Sequence, residues 1–133
     1  MAKVSGLGWT TFSIDDGTGA ASVMINDILS AEFATPRGVF DVTGLDKSAY
    51  ERILGLADFT GQATGQFNAT LSHLALRTVS STSVNREVSI TVAGQSISPE
   101  CLVTDYALSR AADGNLTWTA PWVLADGAVP TWA

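Results

Sequence analysis

The chain is poor in the residues that carry most protein chemistry. It has one cysteine, Cys101, and one histidine, His73. A lone cysteine excludes an internal disulfide. One cysteine and one histidine also exclude the usual zinc cages, which need a cluster of such ligands. Lys and Arg number only 7 against 13 Asp and Glu, for a net charge of −6, and the cations are scattered singly from Lys3 to Arg110. Tight nucleic-acid binding rests on clustered cations that neutralise phosphates, so this chain is unfit to grip DNA, which leaves room for enclosing it without holding it. No run approaches the roughly 20 apolar residues of a membrane-spanning helix. Met1 to Gly6 shows no apolar core of a signal peptide, and without secretion the sequons at Asn68 and Asn115 are coincidence.

What is present describes a folded domain. Apolar residues make up 46% of the chain and charged ones 15%, a balance opposite to that of a disordered tail. The 133 residues suit one domain, residues 1–133, with a short flexible N-terminus and a C-terminal tail from about 125 to 133. Short alternating runs between turn signals dominate, which is an all-β signature. Strands are expected at Trp9–Ile14, Ala20–Ile25, Leu29–Phe33, Val39–Val42, Gln62–Asn68, Leu74–Val79, Val88–Val92, Ser96–Ser98, Cys101–Leu108 and Leu116–Leu124. Asp15 to Gly19 and Ala112 to Asn115 read as turns. One segment has a different period. Leu45, Ala49, Ile53 and Leu56 recur at helical spacing, with Asp46 as N-cap and Gly55 as C-cap, which predicts a short helix over about 47–54. The expected fold is mainly β, a β-sandwich or flattened barrel with one short flanking α-helix.

The sequence offers little for catalysis or metal binding. A nucleophile needs an adjacent base, and nothing in the pattern ties His73 to Cys101, which sits in an apolar run as a small core residue would. Asp15-Asp16-Gly17-Thr18-Gly19 lacks the alternating ligands and distal Glu of a calcium loop. Gly17-x-Gly19 runs into a strand rather than a helix, so a phosphate there would lack a helix N-terminus. Asp105, Asp113 and Asp126 fall beside turns or strand ends, where Asp is common. Trp118 and Trp122, four apart on one strand, share a face and read as core or interface anchors. As an exposed pair they would instead suit a sugar-binding or decoration module.

A sharper signal lies in the order of several short motifs. Phe40-Asp41-Val42-Thr43-Gly44-Leu45-Asp46 leads to Gly55-Leu56-Ala57-Asp58 and then to Gly65-Gln66-Phe67-Asn68. Further on come Arg86-Glu87-Val88, Thr104-Asp105-Tyr106, Ala112 to Trp118 and Leu124-Ala125-Asp126-Gly127. This succession, from about Trp9 to Trp132, resembles the major tail tube proteins of phages with long non-contractile tails. The resemblance implies a non-enzymatic virion protein without cofactor or metal, assembled in the bacterial host cytoplasm into stacked hexameric rings. It also implies partners: further copies of the chain, a tape-measure protein, tail terminator and distal tail proteins, and double-stranded DNA in transit. Two surfaces are expected to serve that role. The polar, uncharged face of Gln62, Thr64, Gln66 and Asn68 suits a lumen wall. The loop Ser80, Ser81, Thr82 and Ser83, flanked by Arg77 and Arg86, suits a contact between rings.

Overall fold

The computed structural model describes residues 3–133. The strands are β1 (Trp9–Asp15), β2 (Ala21–Val23), β3 (Ile28–Ala34), β4 (Arg37–Asp41), β5 (Arg52–Ala57), β6 (Thr60–Gln66), β7 (Arg86–Val92), β8 (Gln95–Ile97), β9 (Glu100–Val103), β10 (Ala107–Arg110) and β11 (Leu116–Leu124). One short helix, α1 (Ser72–Leu76), lies between β6 and β7. The fold is mainly β, as the alternating pattern implies.

All strands but β4 and β5 belong to one antiparallel sheet in the order β2-β1-β7-β9-β11-β6-β3, with β8 added to β7 and β10 to β11. The sheet bends over on itself. Strands β7 and β9 separate β1 from β11 in that order, yet the Phe12 and Trp122 rings lie 5.8 Å apart. Trp9 on β1 also meets Phe33 on the far end strand β3 edge to face at 5.8 Å. The end strands β2 and β3 pair only with β1 and β6, so the result is a flattened, open barrel with two facing layers.

The period of two decides what fills it. Phe12 and Ile14 of β1, Val88 and Ile90 of β7, and Trp118, Ala120 and Trp122 of β11 all point inward and are buried. The two tryptophans are therefore core residues. Each sits across from a glycine of β6: Trp118 opposite Gly65 and Trp122 opposite Gly61. A Cβ on Gly65 would lie 2.5 Å from Trp118 Cζ2, and one on Gly61 2.7 Å from Trp122 Cζ2. Glycine is thus the residue that lets the indoles lie flat against β6. Trp118 Nε1 donates to Gln66 O at 3.1 Å, whereas Trp122 Nε1 is buried without a partner.

The helix lies elsewhere than its spacing suggested. Residues 45–51 are turns and irregular backbone, and Arg52–Ala57 is strand β5. The apolar stripe through Leu45 and Ile53 has no surface to cover, and Leu45 is fully exposed. The run Ile53-Leu54 instead pairs directly with Val39-Phe40. The observed helix occupies part of the segment expected as strand Leu74–Val79. Its start is held from a distance: the buried Asp27 carboxylate accepts from Ser72 N at 3.4 Å and from Asn68 Nδ2 at 3.1 Å. A cap supplied from 45 residues away leaves no local trace. The expected strand Cys101–Leu108 is likewise split, into β9 and β10.

Candidate assembly surfaces

Two exposed surfaces stand out. The first is the outward face of β6 and its neighbours. Gly61, Ala63 and Gly65 point into the barrel, so Gln62, Thr64 and Gln66 point out. On β3, Glu32 lies opposite Gln62 and Ser30 opposite Thr64. On β11, Thr119 lies opposite Thr64 and Thr117 opposite Gln66. The polar groups are tied together sideways. Gln62 Nε2 donates to Glu32 Oε1 at 3.1 Å, the Thr64 and Thr119 hydroxyls are 3.3 Å apart, and Gln66 Nε2 donates to Leu116 O at 3.0 Å. Across three strands the wall is hydroxyls and amides, and Glu32 is the charged residue among these seven. Asn68 does not belong to it. β6 ends at Gln66, and Asn68 serves the helix start, its Oδ1 accepting from Thr70 N at 3.1 Å and its carbonyl from His73 N at 3.0 Å.

The second surface is the hairpin of β4 and β5, which forms a sheet of its own. All five residues of β4 are exposed. Cross-strand partners share a face, so Val39 and Leu54 lie on one side and Phe40 and Ile53 on the other. Their exposures are 58% and 59% on the first side and 57% and 54% on the second, so neither side is covered. The hairpin still holds a definite shape. The Phe40 ring lies over Gly55, where a Cβ would come within 2.6 Å of it. Arg37 Nη2 donates to Gly55 O at 2.8 Å. At the tip Asp41 Oδ1 accepts from the Thr43 hydroxyl at 2.6 Å and from Thr43 N at 3.0 Å, while Thr43 Oγ1 accepts from Glu51 N at 2.7 Å. These bonds, the Thr43 hydroxyl first, hold the Asp41 carboxyl below its ordinary value. The Arg52 guanidinium sits 4.5 Å from the Tyr50 ring centroid.

The segment expected to contact another ring divides in two. Ser80, Ser81, Thr82 and Ser83 are exposed, as is Arg77, and the loop is shaped by Ser81 N and Thr82 N, which donate to Thr78 O at 3.2 and 3.0 Å. Arg86 is different: it is 2% exposed. Its Nη1 donates to Asp15 O at 2.9 Å and Ala75 O at 2.8 Å, and its Nη2 to Thr78 Oγ1 at 2.7 Å. Burial lowers its pKa, with Asp15 and Asp16 acting the other way. Arg86 fastens the β1–β2 turn and the end of α1 to β7, and its burial withdraws it from contact with a neighbouring ring. A buried cation must spend its N–H groups on nearby acceptors, and here those are two carbonyls and a hydroxyl of its own chain.

The remaining chemical groups are committed to structure as well. His73 Nδ1 is 3.1 Å from the Tyr106 hydroxyl, and Cys101 Sγ bonds Pro99 O at 3.6 Å. Burial, then the charges of Glu100, Asp126 and Asp58, push the Cys101 thiol up to about 12. In the β1–β2 turn Asp15 Oδ1 accepts from Gly17 N at 2.7 Å, and Asp16 Oδ1 from Thr18 N at 2.9 Å. These are turn bonds, not an open ligand set. Among the described residues no group of three His, Cys, Asp or Glu is placed to hold a metal ion, and no helix is long and apolar enough to cross a membrane. Trp118 and Trp122, being buried, offer no platform for stacking sugars.

No protein-family profile and no curated protein matches the chain. Its fold does match solved chains. One, in the virion of a native gene transfer agent particle, superposes with a TM-score of 0.80 over 98% of this chain and 99% of its own, at 12% identity. Another, in the tail of an empty gene transfer agent particle refined with C6 symmetry, has a TM-score of 0.72, 14% identity, and 98% of each chain covered. At such identities the likeness is one of fold, and it extends from end to end.

Proposed function

We propose that this chain is a tail tube subunit, a non-catalytic virion protein that closes into hexameric rings and stacks into the conduit of a phage-like tail. The observation that carries the proposal is the end-to-end fold likeness to a chain of a tail with C6 symmetry. Three features of this chain support it. The wall of Gln62, Thr64, Gln66, Thr117 and Thr119, which carries no cation and whose one charge is the anionic Glu32, suits a lumen, because hydroxyls and amides solvate a passing duplex without neutralising phosphates. The net charge of −6, repeated around a ring, adds repulsion that keeps DNA from sticking. The detached hairpin supplies apolar surface that only an assembly can bury.

In this role the wall residues face the channel, and the exposed loop Ser80–Ser83 with Arg77 contacts the next ring. The other partners are a tape-measure protein inside the tube and terminator and distal proteins at its ends. The tail of the virion is the site of action, and the host cytoplasm the site of assembly. Electron microscopy and light scattering of the purified chain at rising concentration test this. Rings or tubes with six-fold symmetry are expected. A chain that stays strictly monomeric at high concentration, with virion components added, overturns it.

A further inference from the structure

Arg86 does more than occupy the core. Its guanidinium takes acceptors from three separate stretches of chain: Asp15 O at the β1–β2 turn, Ala75 O in α1, and Thr78 Oγ1 at the root of the Ser80–Ser83 loop, at 2.9, 2.8 and 2.7 Å. A guanidinium is planar and presents its N–H groups in a fixed fork, so these acceptors are fixed relative to one another as well as to β7. Thr78 carries the link onward. Its hydroxyl accepts from Arg86 and lies 3.5 Å from Asp16 O, to which it donates. Its carbonyl accepts from Ser81 N and Thr82 N. On the other side the turn rests directly on the guanidinium: a Cβ on Gly17, whose φ is +91°, would lie 3.1 Å from Arg86 Nη2. A series of bonds thus runs from the β1–β2 turn, through a buried cation, to the Ser80–Ser83 loop. An apolar side chain at position 86 would tie none of these polar atoms in place.

We infer that Arg86 is a positioning residue for the contact between rings: it holds the β1–β2 turn, residues 16–20, and the Ser80–Ser83 loop as one preformed surface, so that both meet a second copy of this chain together. The inference rests on the reading above in which that loop contacts the next ring. It adds the turn, with its exposed tip of Thr18, Gly19 and Ala20, to the same contact. Ser80, Ser81, Thr82 and Ser83 have no apolar side chain to anchor them by burial, so their shape depends on the bonds to Thr78 and, behind it, on Arg86. A loop already shaped in the free subunit loses less freedom on docking than one that must order at that moment. The arginine that sequence alone offers as a contact therefore acts one step behind the contact.

Thr78→Val in the full chain removes the acceptor of Arg86 Nη2, and Thr78→Ser retains it. Amide exchange in the dilute subunit should speed up about tenfold in Thr78→Val, the worth of one hydrogen bond to a charged group. The rise should appear at Ser81 and Thr82 and also, across the guanidinium, at Gly17 and Gly19, whose amides donate to Asp15 Oδ1. Exchange at Met24, whose amide donates to Phe12 O in the core, should stay at the parental rate. The concentration at which rings stack, read by sedimentation, should rise with the loop exchange, and Thr78→Ser should restore both. A rise at Ser81 and Thr82 alone, an equal rise at Met24, or stacking at the parental concentration overturns the positioning role. Two bulky variants that leave these bonds intact, Ser81→Trp and Ala20→Trp, test the joint surface separately. Both should stop stacking while single rings still close. Arrest by Ser81→Trp alone overturns the joint surface and leaves the loop as the ring contact. Normal stacking of Ser81→Trp overturns the loop contact itself, and this inference with it.

Discussion

Gly65→Ala tests the packing that holds the polar wall in place. The new Cβ would lie 2.5 Å from Trp118 Cζ2, 2.7 Å from its Cε2 and 2.9 Å from the Asp27 carbonyl oxygen. None of these can yield cheaply. Trp118 is fully buried, its indole N–H is spent on Gln66 O, and the Asp27 oxygen is backbone. Overpacking of this kind costs about 1–3 kcal/mol, and replacing glycine returns about 0.4–1 kcal/mol through a stiffer unfolded chain. A net loss of about 1–2 kcal/mol is expected. At an unfolding entropy of about 2.1 cal/mol/K per residue, a chain of 133 residues should melt about 4–7 °C lower. The assay is thermal unfolding of dilute subunit followed by circular dichroism and tryptophan fluorescence. Gly6→Ala is the control, because nothing lies within 4 Å of a Cβ there, and it should leave the melting temperature unchanged. Trp118→Phe removes the atoms that clash, so combining it with Gly65→Ala should cost less than the two changes added. A Gly65→Ala protein that melts with the parent, or strict additivity in the double variant, would refute the packing argument.

Lys at Gln62 and Gln66 adds phosphate-binding charge to the wall without touching the core, so particles carrying both changes should assemble normally and release DNA more slowly; release at the parental rate would remove β6 from the lumen. The Asp41 carboxyl is held below its ordinary 3.8, so its contribution to the hairpin tip is complete above that value and is lost as pH falls through the lowered one. The Thr43 amide resonance should report this in an acid titration, and a midpoint at or above the ordinary 3.8 would contradict the Asp41–Thr43 clasp. Cys101, with its thiol pushed up to about 12 and buried, should resist a thiol reagent at neutral pH until the chain unfolds, and rapid reaction of the native protein would place it at the surface.

Strand content was legible because it is written locally. Val88-Ser89-Ile90 and Gln62-Ala63-Thr64-Gly65-Gln66 alternate by residue, and the folded chain sorts them into core and surface on that period. The outward orientation of Gln62, Thr64 and Gln66 follows from the same rule. Three features are not local, and tertiary structure decided them. Residues 47–57 carry both a helical spacing and a strand-forming run. The choice fell to the cross-strand partners Val39 and Phe40 and to the absence of any surface for a helix to cover. The helix at Ser72–Leu76 depends on a carboxylate at Asp27, far away in sequence. Arg86 looks like a loop cation until the fold brings Asp15, Ala75 and Thr78 around it. Side-chain period is a property of neighbouring residues, whereas capping, burial of a charge and the fate of an ambiguous apolar run depend on what the rest of the chain sets beside them.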